Sequence, residues 1–238
     1  MAGSLDVTLL ASAARTVSGS GASIDLGIRS GLRLDLVVTA QTAGASINVE
    51  VQTSKDGVAW RPLGAFATQA QVGYQAKPIA GADRYVRAVW TIAGTAPSVT
   101  FSLTGQALVV YCTPDEVRAL GVAAPALANV AADLVAEHLI TNTDDIDDKL
   151  CKRWKLPLTK WPSSLRKHLA AITVWTVLSH RGVNPTTGDV DLQKRHDKAW
   201  KDVMDLAENR AGSPDGYVDS TPTVTEDGTY TFSRTRRR

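Results

Sequence analysis

Apolar and polar positions alternate in short runs over the first 110 residues. A period of two places successive side chains on opposite faces of a strand, so each run is typical of a strand with one face in a core. Gly- and Ser-rich connections separate the runs, which occupy residues 5–10, 22–28, 32–40, 46–53, 70–79, 84–93 and 97–110. About eight strands at this spacing predict an antiparallel β-sandwich of jelly-roll type over residues 1–110.

One connection in this half combines a turn signal with an aromatic residue. The segment SKDG (54–57) predicts a turn in which Gly57 takes positive φ, and a strand pair follows over residues 60–66. SKDGVAW (54–60), with RYVR (84–87) further on, resembles the strands of discoidin-like carbohydrate-binding sandwiches and the small sandwiches attached to many phage structural proteins. Two interpretations stay open. In the first, the turn and a packing tryptophan are needed only for folding. In the second, Asp56, Trp60, Arg84 and Arg87 form a glycan site.

At Tyr111 the apolar spacing changes to the three- and four-residue period of helices. Thr113 and Glu116 predict a capping box, and Pro114 suits the first helical position. The pattern predicts a bundle over residues 111–211 with helices at 113–120, 125–140, 143–155, 162–181 and 189–210. The most apolar helix, 162–181, is expected to run through the centre. The overall expectation is an α+β protein of two domains.

The helix predicted over 143–155 carries most of the charge of this half. Thr143 is its predicted N-cap, because a hydroxyl there can accept from the exposed N–H groups of the first turn. Four aspartates would then follow where the helix dipole favours negative charge: Asp144, Asp145, Asp147 and Asp148. Ile146, Leu150 and Trp154 share one face and are expected to be buried. The basic residues near its C-terminal end are Lys149, Lys152, Arg153 and Lys155.

The last segment, residues 212–238, is rich in Gly and Pro and is expected not to fold alone. Its apolar residues are nevertheless more frequent than a linker requires, and TYTF (229–232) alternates like a strand. Such a segment is expected to bind a partner, for example by adding a strand to a sheet edge. The residues predicted to make this contact are Tyr217, Val224, Tyr230, Phe232, Arg234, Arg236, Arg237 and Arg238. For the arginines, a solvated basic end is an equal alternative.

Charge and motif content exclude several functional classes. The net charge is +2, with 8 basic and 6 acidic residues in 1–110, 14 of each in 111–211 and 4 of each in 212–238. This balance argues against a general nucleic-acid binder. Cys112 and Cys151 lie far apart without a C-x-x-C partner, which argues against a zinc site or a disulfide framework. No signal peptide, membrane span, cofactor loop, metal motif or catalytic motif is recognised, so a protein made in the cytoplasm, not an enzyme and without a cofactor, is expected.

The order of motifs in the helical half resembles that of the head-tail connector (adaptor, head-completion) proteins of tailed bacteriophages. The resemblance rests on a Y-x-T-P-x-E-V start at 111–117, an I-D-x-x-L-x-x-R-W-x-L-P-L segment ending at Leu158, and two helices with matching apolar spacing at 165–178 and 195–203. RWKLPL (153–158) is its most specific part. Asp145 departs from the pattern, because the family has a small residue there. The family usually consists of this helical domain alone.

The resemblance implies a structural part of the virion neck. Such adaptors assemble, usually as a dodecameric ring, under the portal, and their C-terminal tails reach onto the portal protein. The lower face of the ring receives tail, stopper or tail-terminator proteins, and DNA passes through its lumen. An added N-terminal sandwich is free to touch the capsid. No membrane contact is implied.

A helix with an acidic and a basic end can pair head to tail with copies of itself, as a closed ring requires. We therefore expect the aspartates at 144, 145, 147 and 148 to face the basic residues at 149, 152, 153 and 155 of the next subunit. A carbohydrate-binding module on a phage or cell-surface structural protein is the alternative. DNA contact by the C-terminal arginines is a third interpretation, although a neutral lumen suits passage better than tight binding.

Overall fold

The computed structural model describes residues 4–120, 127, 129–151, 154, 156–158, 161, 163–180, 189–208, 223–224 and 230–231. The chain forms two compact units. The first, here the sandwich unit, comprises Ser4–Val110 and Ala132–Ile140. The second, here the helical unit, comprises the described residues of Tyr111–Ala131 and those from Thr141 onward.

The sandwich unit is built from nine antiparallel strands in two sheets. Strands β1, β9, β4 and β7 are neighbours in that order in one sheet, and β2, β8, β5 and β6 in the other, with β3 beside β8. Apart from β5 and β6, adjacent strands come from distant parts of the chain, as in a jelly roll, and the predicted fold class is confirmed. The strands are β1 Leu5–Arg15, β2 Gly19–Ser20, β3 Ile24–Asp25, β4 Gly31–Gln41, β5 Ser46–Ser54, β6 Arg61–Ala65, β7 Gly73–Ala80, β8 Tyr85–Ala93 and β9 Val99–Leu108.

Alternation along the central strands produces the core of this unit. On β4 the even-numbered residues from Leu32 to Val38 are buried, and β5, β8 and β9 contribute every second residue in the same way. Together they form one apolar cluster, in which each fully buried aliphatic side chain contributes about 1.5–3 kcal/mol. Gly105 lies where β9 passes close to β4. A Cβ there would be 2.0 Å from the Arg33 carbonyl oxygen, so only glycine fits.

The helical segment 132–140 belongs to the sandwich unit, although the sequence pattern grouped it with the bundle. Two ion pairs join it to the sheet that contains β4 and β7. Lys77 Nζ lies 2.6 Å from Asp133 Oδ2, and Arg33 Nη2 lies 3.0 Å from Glu137 Oε1. Alternation identifies strands, but it does not indicate which helix packs on them.

The described helices with residue bounds are α1 Pro114–Leu120, α2 Ala132–Leu150, α3 Ser163–Ser179 and α4 Asp189–Ala207. The capping box of α1 is confirmed. The Thr113 N–H donates to Glu116 Oε2 (2.8 Å), and the Glu116 N–H donates to Thr113 Oγ1 (3.2 Å). The predictions for α3 and α4 agree with the structure within a few residues.

The predicted break between helices at Asn142 and Thr143 is wrong. Helix α2 runs through both residues, begins seven residues after Pro125, and ends at Leu150, before the predicted 155. The Asn142 amide donates to the hydroxyls of Thr173 (3.2 Å) and Thr176 (3.0 Å), and Thr143 is buried. A polar side chain typical of a helix start, that of Asn142, is therefore used for a contact with α3.

Two short strands lie in the C-terminal segment. β10 Thr223–Val224 pairs antiparallel with β11 Tyr230–Thr231. The strand predicted within TYTF is thus present, and its partner strand lies in the same segment. Tyr217, Phe232 and the four arginines of the tail lie outside the described residues.

Candidate functional site

The solvent-facing side of the second half of α2 is acidic. Asp145 and Asp148 are exposed and Asp144 is half-buried, whereas Ile146 and Leu150 on the opposite side are fully buried. The helical period of 3.6 residues brings the three carboxylates onto one face. We call Asp144, Asp145 and Asp148 the acidic face.

The position of the acidic face in α2 corrects its predicted electrostatics. Because α2 begins at Ala132 and ends at Leu150, the aspartates lie in its last two turns. The carbonyl groups at a helix C-terminus carry partial negative charge, so acidic residues there are disfavoured. Helix-end electrostatics therefore does not account for these aspartates, which makes an external partner a stronger explanation.

Asp147, predicted as an interface residue with the others, points into the helical unit instead. It is buried, and its Oδ1 accepts a hydrogen bond from the hydroxyl of Tyr111, which is also buried. The Trp161 ring packs on Tyr111, with a centroid separation of 5.3 Å. Burial raises the pKa of Asp147 to about 6; the Tyr111 hydrogen bond opposes this rise, and the charges of Asp144 and Asp148 add to it.

Of the predicted basic partners, Lys149 is exposed, whereas Lys152, Arg153 and Lys155 lie outside the described residues. A second set of basic residues, which the sequence pattern did not single out, lies on α4. We call these the basic face: Lys194, Arg195, Lys198 and Lys201, all exposed.

The basic face lies opposite the side of α4 that packs in the unit. Ala199, Val203 and Leu206 are buried. The predicted apolar stripe of the last helix identified Val203 and Leu206, while its other members, Leu192, His196 and Trp200, are half-buried. A helical wheel of that stripe would have revealed the basic side.

Helix α3 has α2 and α4 on two different sides. Thr173 and Thr176 of α3 contact Asn142 of α2. By contrast, His168 Nδ1 lies 3.8 Å from Asp202 Oδ2 of α4, and the Trp175 ring lies 5.8 Å from that of His196. At 3.6 residues per turn, these two sets of α3 residues are separated by about 120° around its axis.

The candidate glycan residues of the sandwich unit are all engaged within the chain. The Asp56 carboxylate accepts from the N–H groups of Val58 (2.8 Å) and Ala59 (2.9 Å), and these bonds lower its pKa to about 2. Gly57 has the predicted positive φ, 77°. Asp56 therefore fixes the turn.

The other three candidates make cross-strand contacts. Arg84 donates to both carboxylate oxygens of Asp25, with the shortest distance 2.7 Å. Arg87 donates to Gln52 Oε1 (2.8 and 3.0 Å), and its guanidinium lies 4.3 Å from the centroid of the Trp60 ring. These contacts give each residue a structural role that is independent of a sugar.

Comparison with known proteins identifies the family from the second half of the chain. The model of the family described as "Bacteriophage Mu, Gp36" matches residues 103–230, more than half of the chain. The chain belongs to the bacteriophage Mu Gp36 family. It is accordingly a phage structural protein, which agrees with the structural role that the sequence motifs implied. No curated protein matches the sequence significantly.

The Mu Gp36 match contains helices α1 to α4 and both charged faces, whereas the candidate glycan residues lie before it. Solved structures similar to the chain include the PBSX exported protein XepA (18% identity, TM-score 0.35), infectious bursal disease virus Gx strain (12%, 0.34) and the SPBc2 prophage-derived protein YomS (11%, 0.29). The matches cover 44%, 44% and 43% of this chain, in the same order. They cover 37%, 32% and 92% of the three matched chains. At these values the likeness indicates no shared function.

Within the described residues, no group of three or more His, Cys, Asp or Glu side chains is arranged to hold a metal ion. None of the described helices has the length and apolar character needed to cross a membrane. Both cysteines are free; Cys112 is buried and Cys151 is exposed.

Proposed function

We propose that this Mu Gp36 family protein is a head-tail adaptor, which assembles as a ring beneath the portal and joins the DNA-filled capsid to the tail. The family match over residues 103–230 carries the proposal. It includes RWKLPL (153–158), the segment in which the resemblance to connector proteins is most specific. The ring would be a homo-oligomer, a dodecamer if it follows the connector proteins, located in the virion neck.

The helical unit has surface properties that suit such a ring. Copies in a closed ring bind through two different surfaces, because each copy contacts one neighbour on either side. The acidic face of α2 and the basic face of α4 are two such surfaces, and they lie on different sides of α3. The chain 111–211 has no net charge, which favours a lumen through which DNA slides without tight binding.

The proposal assigns partners to the other parts of the chain. The C-terminal segment would bind the portal protein, and the opposite side of the ring would bind tail, stopper or tail-terminator proteins. The sandwich unit would lie outside the ring, where it is available to the capsid.

Mixing the purified protein with the portal protein of the same phage tests the proposal. We expect light scattering to give a mass equal to a portal ring plus a whole ring of this protein, and negative-stain images to show a second ring on one portal face. A protein that neither binds the portal nor forms a closed assembly with it would contradict the adaptor role.

A further inference from the structure

Two helices of the helical unit expose charges of opposite sign that have no partner within the described part of the chain. Asp145 and Asp148 on α2 make no ion pair with any described residue. The same is true of Lys194, Arg195 and Lys201 on α4, whereas Lys198 pairs with Asp202 at 2.8 Å. The unit thus presents an acidic and a basic surface.

The acidic surface is not explained by the stability of its own helix. The acidic face lies at the C-terminal end of α2, where the dipole disfavours it. Between residues 194 and 201, four bases are accompanied by one acid, Asp197, which lies 2.9 Å from the His196 ring. Asp191, Asp202 and Asp205 lie on the same side of α4 as the bases, and Asp202 pairs with Lys198. Lys194, Arg195 and Lys201 make no such pair, so an acidic partner would add ion pairs that the isolated unit lacks.

The positions of the two faces allow both to be used at once. Since α2 and α4 pack on different sides of α3, a copy that binds through one helix still exposes the other. A contact between unlike surfaces continues from copy to copy, and it closes into a ring when the rotation between copies is a fraction of a full turn.

We propose that the acidic face of α2 binds the basic face of α4 on a second copy of this chain, so that copies join head to tail through these two helices. The inference rests on the proposed ring function and names its contact surfaces. In this proposal the aspartates bind the basic residues of α4, and not the basic residues predicted near the C-terminal end of their own helix.

A second copy explains both faces with one contact. A nucleic acid would bind the basic face but would be repelled by the acidic one, and a basic partner protein would leave the lysines of α4 unused. Charge complementarity between two surfaces of the same unit therefore favours the copy over these occupants.

Charge reversal on each side tests the contact. The first variant is Asp145→Lys/Asp148→Lys, which makes both faces basic, and the second is Lys194→Glu/Lys201→Glu, which makes both faces acidic. All four side chains are exposed, so both variants should keep the wild-type circular dichroism spectrum and melting temperature. We expect each alone to self-associate roughly tenfold more weakly than wild type in sedimentation velocity at low salt.

Mixing the two variants gives the sharper result. In an equimolar mixture, the lysines at 145 and 148 of one variant meet the glutamates introduced in α4 of the other, and the remaining native faces also match. The mixture should therefore assemble as wild type does, with the variants alternating. Raising the salt concentration should weaken the assembly of the wild type and of the mixture alike, because exposed charges are screened.

Lys55→Glu/Lys167→Glu is the matched control, since it changes the net charge by the same amount as the α4 variant at two exposed positions outside both faces. Equal loss of assembly in this control would overturn the inference, as would wild-type assembly by either reversed variant alone or a mixture that stays unassembled. If only Lys194→Glu/Lys201→Glu loses binding to a nucleic acid or to the portal protein, that molecule occupies the basic face, and the inference is overturned as well. If the reversed variants still form rings on the portal, this contact fails while the adaptor function stands.

Discussion

The hydroxyl of Tyr111 donates a hydrogen bond to the carboxylate of Asp147, and both side chains are buried in the helical unit. Tyr111 is the residue at which the helical unit begins after the last sandwich strand, and Asp147 lies in the last turns of α2. Because burial raises the pKa of Asp147 to about 6, this contact holds a carboxylate that is costly to ionise. The contact therefore makes the stability of the unit depend on pH.

The wild-type protein is expected to lose stability as the pH rises from about 4 to about 6, and we predict that Asp147→Asn removes this loss. The folded-state pKa of Asp147 lies above its unfolded value, so the native state binds the extra proton in this range and its stability falls as pH rises. Urea unfolding should show Asp147→Asn gaining up to about 3 kcal/mol relative to wild type from pH 4 to pH 7. Asp148→Asn, an exposed neighbour, is the control and should show little change. A parallel pH profile for Asp147→Asn and wild type would contradict the prediction.

Tyr111→Phe is predicted to have the opposite effect at neutral pH. The substitution removes the hydroxyl that donates to the buried carboxylate, which would cost about 1–3 kcal/mol at pH 7. The cost should be smaller at pH 4, where Asp147 is largely protonated in the native state. An unfolding free energy that changes equally at both values of pH would indicate lost packing against Trp161 instead.

The contact between Asn142 and two threonines of α3 is predicted to stabilise the helical unit. Asn142→Ala leaves the buried Thr173 hydroxyl without its donor and should lower the unfolding free energy by about 1–3 kcal/mol. Gln193→Ala is the matched control, because it truncates an amide on an exposed helix face and should change stability by less than about 0.5 kcal/mol. Equal effects of the two substitutions in chemical denaturation would show that the Asn142 bonds contribute nothing.

Asn142 also shows where sequence reasoning stops. Alternation in strands and the capping box at Thr113 are local patterns, and the structure has both where they were predicted. Asn142 and Thr143 are local signals for a helix start, yet their side chains serve contacts with residues more than 30 positions away or the interior of the unit. The burial of Asp147 depends in the same way on Tyr111. The spacing of apolar residues along the chain does not show which distant segments contact each other.

The charged faces were partly predictable for a related reason. The aspartates of α2 stood out because they are adjacent in sequence, but their place at the end of the helix followed only from the true start of α2. The bases of α4 are interleaved with aspartates, so they emerge as a face only when the buried side of the helix is known.

The Trp60–Arg87 pair is predicted to stabilise the sandwich unit without binding a sugar. Trp60→Ala and Arg87→Ala should each lower the unfolding free energy by about 1 kcal/mol, with a coupling of about 0.5–1 kcal/mol in a double-mutant cycle. The full-length protein should give no signal on a glycan array. Binding that is lost in Trp60→Ala with unchanged stability would support the carbohydrate-binding alternative.

Deletion of residues 212–238 is predicted to leave a folded protein that no longer binds the portal. The described helices end at Ala207, so circular dichroism and the melting temperature should stay close to those of the full chain. If the spaced apolar residues dock the segment, Tyr217→Ala/Phe232→Ala in the full chain should weaken co-sedimentation with the portal protein as strongly as the deletion does. Replacing Arg234, Arg236, Arg237 and Arg238 with glutamine measures the contribution of charge to portal binding. That contribution should diminish as the salt concentration rises. Portal binding that survives the deletion would place this contact elsewhere in the chain.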